Sequence, residues 1–144
     1  MNLNPMTDEK ISIKLVNQVS EIERLSEIVN EFGQTHQLAE EALFAMNLAL
    51  EEILINVIKY GYKDTDEHEI AVRLWVHDSD LAAEVEDDGA QFNPLESPPP
   101  DITKPLEERP IGGLGIHLVR TMMDKTEYRR ENERNVLSVA KKAR

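Results

Sequence analysis

The sequence predicts an α/β two-layer sandwich, with a mixed, mostly antiparallel sheet and helices on one face. Three observations lead there. Five short segments alternate apolar and polar residues, and two long ones repeat their apolar residues every three or four positions. The resulting order, βααββ–loop–αββ, has runs of paired strands and few strand–helix–strand crossovers. A length of 144 residues fits one domain spanning 1–144, large enough for a core without cross-links.

The elements follow in order. Residues 10–16 alternate Ile11, Ile13 and Leu15 and read as a strand. Ser20 is placed as an N-cap with Glu23 three positions on, opening a helix through about Gln34 on the stripe Ile22, Leu25, Ile28, Val29, Phe32. A second helix runs from about Ala39 to Tyr60 on Leu43, Met46, Leu50, Ile53, Leu54 and Val57. Strands are expected at 69–77 (Ile70, Val72, Leu74, Val76) and 81–87 (Leu81, Ala83, Val85). A short helix is expected over Leu114–Met123. The end reads as a hairpin, 125–130 with 136–140, across the polar turn Glu131–Asn135.

Composition narrows the function. There is no cysteine, so disulfides, thiolate metal sites and thiol nucleophiles are excluded, which suits a reducing, cytoplasmic setting. A net charge of −12 opposes phosphate backbones, so no nucleic-acid partner is expected. The first residues lack the basic and apolar regions of a signal peptide, and no apolar run is long enough to span a bilayer. Six of the seven prolines lie between 94 and 110, and Gly112, Gly113 and Gly115 follow. A connection that long inside a domain is expected to be a lid, at about 94–111, rather than a plain linker. Residues 78–108 carry ten acids against Lys104 alone, an asymmetry that solvated faces commonly show.

Three segments could carry chemistry. On the second helix, Glu52 and Asn56 are four apart and share a face. A carboxamide oxygen is a neutral hard ligand suited to Mg²⁺, and the adjacent carboxylate can take a proton; a solvated polar face is the plain alternative. At the end of the 81–87 strand, Asp87-Asp88-Gly89 can hold a carboxylate at the sheet edge, where it would accept a hydrogen bond from an exocyclic amine such as adenine's. A strand-ending Asp-Gly turn would look the same. Finally, Gly112-Gly113-Leu114-Gly115 opens a helix whose exposed N–H groups favour phosphate, although no lysine follows as in a P-loop. His117, within that helix, reads as a packing or surface histidine.

The order of these pieces is more specific than any one of them. Base-and-metal helix, strand-end Asp-x-Gly, proline-rich loop and glycine-opened helix resemble the N-box, first glycine box, lid and second glycine box of the Bergerat ATP-binding superfamily. Within it the chain looks like the anti-sigma-factor serine kinases of the RsbW and SpoIIAB type. The resemblance rests on Asn47–Asn56, Glu86–Pro94, Gly112–Ile116 through Asp124, and Tyr128-Arg129-Arg130 with Asn135-Val136-Leu137. It spans residues 10–142.

The resemblance implies a role at each matching position. Asn56 would chelate Mg²⁺ and Glu52 would be the general base. Asp87 would read adenine, Gly89 would let the base approach, and Gly113, Leu114 and Gly115 would cradle the phosphates of ATP. Arg109, at the end of the lid, would lie near the terminal phosphate or the partner. A sigma factor and an anti-anti-sigma protein of the STAS type are the implied partners, with serine/threonine phosphorylation of the latter, and a homodimer is implied as well. One position departs from the pattern: Gln91 stands where the superfamily often has a second glycine, which would cost hinge freedom at the lid's entry.

Other classes fit less well. An ATP-gated binding protein without phosphoryl transfer would use the same pocket, though the intact Glu52 favours catalysis. A histidine kinase needs a dimerising helix pair carrying a phosphoacceptor histidine, and 144 residues leave no room for one. The acidic 78–108 stretch matches no EF-hand spacing.

Overall fold

The computed structural model describes residues 10–96 and 113–143. The chain forms β1 (Lys10–Val16), α1 (Glu21–Thr35), α2 (Glu40–Tyr60), β2 (Glu69–His77), β3 (Asp80–Asp87), a 3-10 turn at Pro94–Glu96, α3 (Gly113–Met122), β4 (Lys125–Glu131) and β5 (Arg134–Lys142). The strands lie in the order β1-β2-β3-β5-β4, and every pair is antiparallel, so the mixed character allowed by the sequence is absent among the described strands. Apart from residues 94–96, the expected lid lies outside the described residues.

Alternation decides which face of the sheet is covered. Ile13, Leu15, Ile70, Val72, Leu74, Leu81, Ala83, Val85, Leu137 and Val139 are buried in one cluster with Leu25 and Val29 of α1, Met46, Leu50, Ile53 and Leu54 of α2, and Val119 of α3. Fully burying each Val, Leu, Ile or Met side chain among them contributes about 1.5–3 kcal/mol. On the opposite face, among apolar side chains such as Trp75 and Val136, several charged side chains are paired. Arg73 Nε and Arg129 Nη1 each lie 3.1 Å from the Glu84 carboxylate, and Arg73 Nη2 donates to Glu86 at 3.0 Å.

Two local expectations need correction. Ser20 does not cap α1: its backbone is already helical (φ −60°, ψ −22°), whereas a capping serine needs an extended backbone, and its side chain makes no cap hydrogen bond. The carboxylate of Glu21 instead reaches back and accepts from the Val16 N–H at 3.1 Å. The hairpin turn is also shorter than expected. Asn132 and Glu133 alone form it, with φ of 52° and 62°, the left-handed pair that matches strand twist in a two-residue loop. Asn135 therefore belongs to β5, opposite Asp87 on one side and Arg130 on the other.

Among the described residues, no helix is long and apolar enough to cross a membrane.

Candidate functional site

The core packing of α2 determines where its polar residues point. Ala49, Ile53 and Leu54 face the core, so Glu52 and Asn56 fall on the flank shared with α3 and the end of β3. There a pocket has an apolar lining that includes Ile53, Val85, Ile116 and Leu137, with Asn56, Asp87 and Asn135 as polar groups. A few polar groups converging in an apolar slot are the usual anatomy of a small-molecule site. Asn56 and Asp87, 31 positions apart in sequence, thus line one cavity.

Asp87 is buried, and only one of its oxygens is occupied. Oδ1 accepts from the Gly89 N–H at 2.8 Å and from Asn135 Nδ2 at 3.0 Å, while Oδ2 takes no hydrogen bond among the described residues. Burial raises the carboxyl above its ordinary value, and the donors from Asn135 and Gly89 only partly offset this. One carboxylate oxygen is thus pinned by protein, while the other keeps its capacity to accept a hydrogen bond.

Glycine matters at two contacts. A Cβ on Gly89 would collide with the Gly61 carbonyl, and that same carbonyl accepts from the Ala90 N–H at 3.0 Å. This junction ties the Asp87 turn to the end of α2. A Cβ on Gly115 would strike the carboxylate of Glu52, so the first turn of α3 lies directly against the carboxylate expected to act as base. Glu52 is half-buried, and its carboxyl is raised first by burial and then by the charge of Glu51.

The other expected residues divide. Gly113 and Leu114 stand in the first turn of α3 beside Gly115. Arg109 and Gly112 lie outside the described residues. Gln91 does not have a positive φ, so the backbone there has no need of glycine. His117 is half-buried on α3. No group of three His, Asp or Glu side chains able to hold a metal occurs among the described residues. A Mg²⁺ ion needs no such cage, since it commonly takes one or two protein oxygens together with substrate phosphates and water. Asn56, lining the pocket, fits that use.

Three residues given no role of their own in the sequence analysis support the site. The Asn135 amide donates to Asp87 and to the Ala90 carbonyl (2.9 Å), and its Oδ1 accepts from Tyr128 Oη (2.5 Å), Arg130 Nη1 (3.2 Å) and the Phe92 N–H (3.3 Å). Arg130 also donates to the Gly89 carbonyl at 3.0 Å. The β4–β5 hairpin therefore holds the Asp87–Phe92 segment from one side and Gly61 holds it from the other. An asparagine at the head of the apolar run Val136-Leu137 was the available clue, but it carries meaning only once the turn is two residues long.

Beside this junction the Tyr62 ring stacks on His68, with centroids 4.0 Å apart. His68 bridges Asp64 (2.7 Å) and Asp88 (3.1 Å). The hydrogen bond to Asp64 is the largest influence raising the His68 imidazole above its ordinary value. Burial, then the charge of Asp87, pushes the Tyr62 hydroxyl up, and that hydroxyl has no hydrogen-bond partner among the described residues.

A helix–sheet sandwich with a polar-tipped pocket between α2, β3 and α3 is the architecture of a nucleotide-binding ATPase-like domain. The chain belongs to the histidine kinase-like ATPase domain family, which matches residues 15–141. It is similar to the serine-protein kinase RsbW of Bacillus cereus strain AH820, at 30% identity over 137 residues covering 90% of this chain and 82% of that protein. The RsbW of Bacillus mycoides strain KBAB4 is 29% identical over the same shares of each chain. Among solved structures, the RsbU and RsbW domains of Rv1364c from Mycobacterium tuberculosis superpose with a TM-score of 0.68 at 12% identity. That match covers 94% of this chain and 32% of the other, and it shows the shared fold.

Proposed function

We propose that this protein is an ATP-dependent serine/threonine kinase that acts in the cytoplasm as an anti-sigma regulator, phosphorylating an anti-anti-sigma partner. The observation that supports this most is the convergence of Asn56 and Asp87 on one pocket, with Glu52 one turn from Asn56 and against α3. In this reading Asp87 accepts the adenine amine through Oδ2, and the N–H groups opening α3 at Gly113, Leu114 and Gly115 receive the phosphates. Asn56 would hold Mg²⁺, which supplies charge neutralisation on the phosphoryl oxygens. Glu52 takes the proton of the incoming serine or threonine hydroxyl as its oxygen bonds the γ-phosphorus. The bond to the β–γ bridging oxygen breaks and ADP leaves. The raised Glu52 carboxyl suits the role, because a base works best when its pKa lies near the working pH.

Two expected results test the assignment. In wild type, removing Mg²⁺ with a chelator should weaken ATP binding; in Asn56→Ala, calorimetry should give the same weak affinity with and without the ion. A variant that keeps its Mg²⁺ dependence would remove Asn56 from the metal. The second test is a pH profile of transfer from labelled ATP. Transfer requires ionised Glu52, so the rate falls as pH drops through its raised pKa. Glu51→Gln removes one of the two causes of that rise, so the acid limb should move to lower pH. An unmoved limb would mean that Glu52 is not the titrating group. Binding without any labelled acceptor, in wild type and Glu52→Gln alike, would support a nucleotide-gated binding protein instead.

A further inference from the structure

His68 stands where three parts of the chain meet beside the Asp87 turn. Its backbone is fixed to the end of β1. The His68 N–H donates to Asn17 Oδ1 at 2.8 Å, and its carbonyl accepts from the Asn17 N–H at 3.1 Å. Its half-buried ring spans the junction. Nε2 lies 2.7 Å from Asp64 Oδ1 in the α2–β2 loop, and Nδ1 lies 3.1 Å from Asp88 Oδ1 just past β3. One face of the ring stacks on Tyr62 at an interplanar angle of 13°. Asp88 follows Asp87 directly, and Tyr62 follows Gly61, whose carbonyl already accepts from Ala90. The loop after α2 therefore holds the Asp87 turn at two points, the Gly61 carbonyl and the His68 ring.

Two carboxylates on one imidazole determine its charge. A neutral ring donates from one nitrogen and presents a lone pair at the other, which here would face a carboxylate oxygen. Only the imidazolium donates to both. A positive ring also suits the face of Tyr62. The proton rests on the ring and not on Asp64, whose carboxyl is held below its ordinary value chiefly by the hydrogen bond with His68. The titratable groups facing the ring are Asp64 and Tyr62 from the loop and Asp88 from the end of β3; the end of β1 presents the uncharged Asn17. Arg134 of β5 acts on Tyr62 and opposes the acids there.

We infer that His68 is a positioning residue of the nucleotide pocket: as an imidazolium it clamps Asp88, and so keeps the neighbouring Asp87 carboxylate in place for the bound base. This rests on the reading of Asp87 as the purine contact. A pH dependence of definite sign follows. The hydrogen bond to Asp64 leads in raising the folded-state value of the imidazole, so the clamp is complete below the ring's ordinary value and is lost as pH climbs through the raised one. With the ring neutral, the Asp88 charge stands uncompensated beside Asp87, adding to the burial that already disfavours its ionised form.

The test compares ATP affinity of the full chain, measured by calorimetry with Mg²⁺ from about pH 6 to about pH 9, between wild type and His68→Gln. Taking the ratio cancels the titration of the nucleotide, which both proteins share. Wild type should bind about fivefold or more tightly at the acid end, and the ratio should fall toward one as the imidazole loses its proton. Asp64→Asn keeps an acceptor oxygen for Nε2 without the charge, so its own advantage over His68→Gln should fade at lower pH than that of wild type. In wild type, the Gly89 and Ala90 amide signals in NMR should move with the His68 ring signal at one midpoint. A ratio that stays flat across the range, a fall that Asp64→Asn leaves in place, or amides that ignore the His68 midpoint would each overturn the inference. Amides that follow His68 in a wild type that binds no ATP would support the clamp and overturn the purine-reading role of Asp87 instead.

Discussion

Asp87→Asn should lose ATP and keep its fold. The pinned oxygen survives the change, because an asparagine Oδ1 still accepts from Gly89 and Asn135. What changes is the other atom, where an N–H donor replaces Oδ2 and meets the adenine amine, itself a donor. A hydrogen bond to a charged acceptor is worth about 1.5–3 kcal/mol, and an opposed donor adds to the loss, so affinity should fall roughly 30-fold or more. Stability should move the other way. The folded-state pKa of Asp87 is raised, so the folded protein resists losing that proton, and stability is lost as pH climbs from the unfolded carboxyl value through the folded one. At neutral pH the buried charge is a net cost that the amide removes. Calorimetry with ATP, paired with thermal melts at pH 7, checks both halves. A variant that binds ATP as wild type does would end the role of Asp87 as purine reader. One that loses many degrees of thermal stability would recast Asp87 as a structural residue.

The same residue shows what the sequence could reveal and what it could not. Strand alternation in Ile70-Ala71-Val72-Arg73-Leu74 and the apolar spacing along α2 translate into burial almost position by position, because both patterns report one buried face. Asn56 and Asp87 were legible as a pair through motif order. The hold on Asp87 was not. It depends on Asn135 standing opposite it in β5, hence on a turn built from Asn132 and Glu133 in left-handed conformation. Glutamate there is locally disfavoured, and propensity alone extends the turn to 135. Pairing along both strands outweighs that local preference, and pairing is a tertiary quantity. The Ser20 cap failed similarly: Glu21, one residue on, can reach the end of β1, which a reading confined to helix signals does not consider.

Gly115→Ala should slow chemistry through Glu52 while leaving ATP binding largely intact. The added methyl needs the space held by the Glu52 carboxylate, the far end of a flexible side chain, so the carboxylate yields and α3 stays in place. Stability should therefore change little. The displaced carboxylate would no longer meet the acceptor hydroxyl, and losing a positioned base typically costs 10²–10⁴ in rate, so transfer should fall at least about 100-fold. ATP affinity should stay within a few-fold of wild type, because Asp87 and Asn56 are untouched and alanine keeps the backbone N–H that Gly115 offers the phosphates. The double variant Gly115→Ala with Glu52→Gln should be no slower than the worse single one, as expected when two changes remove one function. Single-turnover transfer from labelled ATP, with affinity measured in parallel, checks each point. Additive losses in the double variant would show that Gly115 acts on the phosphates rather than through Glu52. Wild-type transfer in Gly115→Ala would mean that the contact between α3 and Glu52 has no part in catalysis, and the general-base assignment would lose its structural support.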